Sequence, residues 1–142
     1  MRKYLFASHA YMAEGTKSSL ELILGKQESV DILCAYVKEP YDIKEEIHRK
    51  LSELDPEDEM IVVTDLFGGS VNNEFMTVAA ENENVYLVSG MNLALCMNLV
   101  VRKDDDCTTD ALIRDCMEET RDTLIYCNDL LKNTQDKEDE EF

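Results

Sequence analysis

Basic residues are scarce in this chain: 14 lysines and arginines face 31 aspartates and glutamates, leaving a formal net charge of -17. That balance disfavours unaided binding to nucleic acid or to an anionic membrane surface, and it calls for partners that are neutral or basic. Long apolar runs are also missing, the longest falling far below the roughly 20 residues that cross a bilayer. The opening MRKYLFASHA lacks the apolar run and cleavage site of a signal peptide. Five cysteines, Cys34, Cys96, Cys107, Cys116 and Cys127, form an odd set without a CxxC pair. These absences together point to a cytoplasmic protein with reduced thiols. No cluster of histidine and cysteine has the spacing of a zinc site, so no metal or other cofactor is expected. The GxxxxGK[ST] of a nucleotide P-loop and the GxGxxG of a dinucleotide site do not occur, which leaves nucleotide binding without support. No repeat and no proline-rich or glycine/serine-rich linker divides the 142 residues, of which 44% are apolar, and one domain with one core is expected.

What is present is an alternation. Short β-rich runs at Lys3 to Ala7, Ile32 to Val37, Met60 to Thr64 and Val85 to Val88 are separated by segments of helical spacing, the pattern of βαβ units and a parallel sheet. A first helix carries Met12, Leu20, Ile23 and Leu24 and stops at Gly25. A second opens at Asp42 with Glu45 three residues on, a capping-box pattern, and sets Ile43, Ile47, Leu51 and Leu54 on one face before Pro56. A third is expected from about Val71 to Glu81, a fourth from Leu93 to about Arg102, and a fifth capped by Thr108 or Thr109. Thr123 to Cys127 fits either an extension of that helix or a last edge strand. From Asn133 the composition turns acidic, and DKEDEEF at the end reads as a solvated, disordered tail.

Ligands of open α/β sheets bind outside the carboxyl ends of the strands, where loops converge and helix N-termini offer free amides. Two chain segments bring chemistry there. The first strand runs into Ala7-Ser8-His9-Ala10, and the third into Thr64-Asp65-Leu66-Phe67-Gly68-Gly69-Ser70. A neutral imidazole offers one nitrogen lone pair to a phosphoryl group, and a carboxylate on its other nitrogen fixes the tautomer and steadies the ring as positive charge develops. His9 and Asp65 are the candidate catalytic pair. Gly68 and Gly69 allow close backbone approach, and Ser70 at a helix start supplies a hydroxyl and nearby amides for an anion. Each piece has a plainer reading: a loop histidine, a turn with a helix cap, and a short glycine turn. His48, beside Ile47 but off the apolar centre of its helix, reads as solvent-facing. Spacing does not say whether the two strand ends are neighbours.

The order of these motifs resembles the IIA component of the mannose/fructose/sorbose family of the bacterial sugar phosphotransferase system. The match comprises Ser8-His9, Leu24-Gly25-Lys26, the run Thr64 to Ser70 with Asn73 behind it, Val88-Ser89-Gly90-Met91-Asn92 and Arg102-Lys103-Asp104. The resemblance implies an α/β fold of three layers with an open, mostly parallel sheet, formed by residues 1–132 with 133–142 as the acidic tail. It implies a phosphotransferase component in which His9 is phosphorylated by the phosphocarrier HPr and donates to a IIB protein or domain. Asp65 would orient the ring, Gly68, Gly69 and Ser70 would bind the phosphoryl group, and Phe67 and Ala10 would wall the pocket. Membrane IIC and IID components would be met only indirectly. Family members commonly form homodimers by exchanging an antiparallel C-terminal edge strand, for which Thr123 to Cys127 is the candidate. Ala10 stands where the family usually has glycine, Val71 where a proline commonly follows the serine, and Phe67 where some relatives have tryptophan. Alanine is expected to lose the positive φ that glycine reaches at that position.

Two other roles compete with that of a carrier. One is a regulatory protein whose partner choice depends on phosphorylation of His9, or the homologous subunit serving dihydroxyacetone kinase. The other is a hydrolase using His9 and Asp65 as acid and base on a phosphate ester.

Overall fold

The computed structural model describes the backbone of residues 1–140 and the side chains of residues 1–135; the end of the acidic tail, 141–142, lies outside the described residues. Along the chain run β1 (Arg2–His9), α1 (Met12–Leu24), β2 (Val30–Ala35), α2 (Ile43–Ser52), β3 (Glu59–Thr64), α3 (Ser70–Glu81), β4 (Val85–Ser89), α4 (Leu93–Val101), α5 (Thr109–Arg121) and α6 (Cys127–Glu140). The strands stand in the order β2-β1-β3-β4, and every pairing is parallel. This is the parallel α/β sheet expected from the alternation of elements, in the three layers that the resemblance implies.

The two central strands are nearly continuous apolar runs because helices cover both of their faces. Tyr4, Phe6, Ile61 and Val63 pack under α1, α4 and α5, against Leu20, Leu99 and Leu112. Leu5, Ala7 and Val62, on the alternate positions, pack under α2 and α3 against Ile47, Val71 and Phe75. Phe75 is fully buried, a side chain whose burial stabilises by about 2 to 3 kcal/mol. Local chemistry sets the helix ends. The Asp42 carboxylate accepts from the amides of Lys44 and Glu45, Asn92 from Leu95, and Thr108 from Ala111. Gly25, at φ 84, ends α1 in a conformation that costs glycine little. At the amino end of the sheet the Arg2 guanidinium donates to Thr109 Oγ1 and to the carbonyls of Lys103, Asp105 and Cys107, tying the loop between α4 and α5 to β1.

The C-terminal part differs from the sequence reading. In the single chain, residues 123–126 pair with no strand among the described residues; they are exposed and irregular between α5 and α6. A short apolar run carries no periodicity to separate helix, strand and loop, and an exchanged strand needs a second copy to pair with. Where charge alone suggested a tail from Asn133, the backbone continues in α6 as far as Glu140, and residues 133–135 are exposed. Among the described residues no helix is long and apolar enough to cross a membrane.

Candidate functional site

The strand order reverses between β1 and β3, since the chain leaves β1 toward β2 and returns over it to β3. Loops diverge at such a point and leave a crevice at the carboxyl ends. His9 is the last residue of β1, and Asp65 follows the last residue of β3. Parallel register places Ala7 beside Thr64, so the two functional side chains emerge next to each other.

One carboxylate oxygen holds the histidine twice. Asp65 Oδ2 accepts the backbone N–H of His9 at 2.8 Å and meets ring Nδ1 at 2.8 Å. The Asp65 side chain is 10% exposed and that of His9 41%, so the acid is shielded while the ring faces solvent. Burial by itself would raise the Asp65 carboxyl; the amide and ring N–H groups of His9 outweigh it and hold the carboxyl below the usual aspartate range. An ionised carboxylate has no hydrogen to give. In the neutral imidazole the hydrogen therefore sits on Nδ1 and the lone pair on Nε2, the nitrogen that faces Ser70.

Ser70 Oγ stands 3.2 Å from that lone pair. The hydrogen between them belongs to serine, and a hydroxyl has only one. Tyr36, whose Oη lies 2.9 Å from the same Ser70 Oγ, must then be the donor in their contact. The result is a directed chain from Tyr36 through Ser70 and His9 to Asp65.

The glycine turn serves two separate needs. Gly68 takes φ 81, which side chains resist, and Asn73 Nδ2 donates to its carbonyl at 3.3 Å. Gly69 has ordinary backbone angles, and what matters there is the missing side chain. A Cβ at that position would lie 3.2 Å from His9 Cε1 and 3.3 Å from the Leu66 carbonyl oxygen. Gly69 is also the residue before α3, and no side chain among the described residues caps that helix. Its first-turn amides and the positive end of its dipole thus open beside His9 Nε2, where an anion is favoured.

Ala10 takes φ 50, so alanine here does reach the conformation that its side chain was expected to deny. The loop over-determines it: Ala10 N–H donates to the Ala35 carbonyl at 2.9 Å, and buried Ser8 Oγ donates to the Ala10 carbonyl while accepting from Ala13 N–H at 2.8 Å. Phe67, by contrast, is 76% exposed and stands on the rim. His48 is exposed on α2, away from the strand ends. Two hollows of about 660 and 650 Å³ flank α2, and neither is lined by His9, Asp65 or Ser70. The apolar run Ile32 to Val37 hides Tyr36 inside an expected strand, whereas β2 ends at Ala35. The carboxyl-end rule would have found it, since β2 stops one residue before it.

The model of the PTS system fructose IIA component family matches residues 3–117. A crystal structure from Klebsiella pneumoniae, assigned to the phosphoenolpyruvate-dependent sugar phosphotransferase system permeases, is 39% identical, with a TM-score of 0.86 over 92% of this chain and 93% of that one. The EIIA component from Streptococcus agalactiae is 26% identical, with a TM-score of 0.76 over 90% of this chain and 98% of its own. The mannose-specific EIIAB component of Escherichia coli K12 is 24% identical over 119 residues, 83% of this chain; the match spans only 37% of that protein's length.

Proposed function

The chain belongs to the PTS system fructose IIA component family, and on that premise we propose that it is a cytoplasmic phosphoryl carrier that accepts on His9 Nε2 from phosphorylated HPr and donates to a IIB protein or domain. The observation that carries this reading is the double hold of Asp65 Oδ2 on the His9 amide and ring, which aims one lone pair at an uncapped helix start.

In the forward step the Nε2 lone pair forms a bond to phosphorus as the bond between phosphorus and the donor breaks, and that electron pair returns to the donor. The Nδ1 hydrogen stays on His9, so positive charge develops on the ring 2.8 Å from the Asp65 carboxylate. Ser70 turns its hydrogen from Nε2 to a phosphoryl oxygen, and the first amides of α3 meet the others. Transfer to IIB is the same step reversed onto a new acceptor. The solvent-facing ring suits a partner protein, and Tyr11, Met12, Tyr36, Leu66 and Phe67 give the site an exposed apolar rim on an otherwise acidic molecule.

Incubation with HPr, its upstream kinase and phosphoenolpyruvate should place an acid-labile phosphoryl group on His9, absent in His9→Gln. Labelling that persists in that variant moves the site elsewhere. Addition of IIB should discharge the label; a label that stays identifies a regulator in place of a carrier. Exposed Leu124, Ile125, Tyr126, Leu130 and Leu131 further support a homodimer through this C-terminal segment.

A further inference from the structure

Tyr36 sits where an aromatic residue is costly. It follows β2 directly and takes φ 66, a left-handed conformation that is a true outlier for a bulky side chain. The strain turns the side chain over the site. Its ring lies 5.7 Å from the His9 ring at a tilt of 37°, and Tyr41 backs it edge-on at 5.2 Å. Its hydroxyl ends on Ser70 Oγ at 2.9 Å, one hydrogen bond removed from the nucleophilic nitrogen.

We propose that Tyr36 is a positioning residue for the phosphoryl group, its phenol O–H donating to a phosphoryl oxygen while its ring screens one face of His9 from water. This deepens the carrier reading and rests on it. In the free protein the phenol spends its hydrogen on Ser70. When the Nε2 lone pair is taken by phosphorus, Ser70 loses its acceptor and rotates, and the Tyr36 hydrogen passes to the nearest phosphoryl oxygen. No proton is transferred: the phenol donates a hydrogen bond before and after, and the only bonds made and broken are those to phosphorus.

Tyr36→Phe keeps the ring, the strain and the Tyr41 contact and removes one hydroxyl. Single-turnover phosphorylation should be followed with two donors, phospho-HPr and the small molecule phosphoramidate. With both, the first-order rate at saturating donor should fall about 3- to 10-fold, the margin by which a hydrogen bond to an anionic phosphoryl oxygen exceeds the neutral one to Ser70, with half-saturation by phospho-HPr unchanged. The ¹³Cζ resonance of Tyr36 should also move when wild-type His9 is phosphorylated. Wild-type rates from both donors in Tyr36→Phe would overturn the assignment and leave the carrier reading intact. A loss confined to phospho-HPr would also overturn it, placing Tyr36 in partner docking. Wild-type protein that takes no label on His9 from either donor removes the carrier reading itself, and this assignment with it.

Discussion

Replacing Asp65 by asparagine tests the central geometry, because one oxygen of that carboxylate does two jobs that different experiments can read. Its bond to the His9 backbone N–H is the same before and during phosphoryl transfer, so it contributes to folding and leaves the chemical step unaffected. Its bond to Nδ1–H strengthens as the ring becomes positive, and so it does accelerate the step. A hydrogen bond to a charged group is worth about 1.5 to 3 kcal/mol, against about 1 for a neutral one. Asparagine offers one oxygen and one NH2 group. With oxygen at the Oδ2 position both N–H groups keep a neutral acceptor, while the NH2 falls at Oδ1, which is buried with no partner among the described residues. Exchanging the charged acceptor opposite the ring for a neutral one should slow His9 phosphorylation about 2- to 30-fold, the difference of about 0.5 to 2 kcal/mol at roughly 1.4 kcal/mol per decade. Rapid-quench single turnover with phospho-HPr reads the rate, and circular dichroism confirms that the variant is folded. A folded Asp65→Asn protein that is phosphorylated as fast as wild type would refute the claim that this carboxylate stabilises the reacting ring.

Four further outcomes follow from the same geometry. Because the Asp65 carboxyl is held below the usual range when folded, its contribution to stability is complete above the unfolded value of about 4 and is lost as pH falls through the lower folded value; urea midpoints of wild type and Asp65→Asn should therefore converge below pH of about 4, and a gap that widens there contradicts the assignment. Gly69→Ala should displace the His9 ring by a few tenths of an ångström from a Cβ otherwise 3.2 Å away, slowing phosphorylation about 3- to 10-fold with little change in melting temperature; an unaltered rate would show that the ring has slack. Ala10→Gly should raise stability by about 0.5 to 1 kcal/mol, the relief of the φ 50 conformation less the entropy glycine gains when unfolded, as denaturant titration would show; a loss would mean that the loop needs the alanine methyl. Finally, sedimentation should find a dimer, and Leu124→Asp with Ile125→Asp should convert it to monomer if the exposed C-terminal apolar residues form the interface; an unchanged sedimentation coefficient would locate the contact elsewhere.

Two periodicities were legible in the chain itself. Alternating apolar runs and helical stripes gave the βαβ order and a parallel sheet, because both faces of the central strands must be covered and their residues show it. Segment chemistry also gave Asp42 as a cap, Gly25 as a stop, and His9, Asp65 and Ser70 as residues at strand ends. The 123–126 segment stayed ambiguous, since its few apolar residues carry no period and one chain gives it nothing to pack against.

Tertiary structure decided what lies beside what. Strand order depends on which crossovers pack best against the whole sheet, and no local spacing encodes it; the β2-β1-β3-β4 arrangement makes β1 and β3 neighbours and brings His9, 56 residues from Asp65 along the chain, within 2.8 Å of it. The same arrangement set Tyr36 over Ser70 and made Ala10 adopt a glycine's conformation, because contacts from separate loops outweighed a local preference worth about 1 kcal/mol. The residue types that can do the chemistry are a property of the sequence; the distances that let them do it arise from the packing of distant segments against one another.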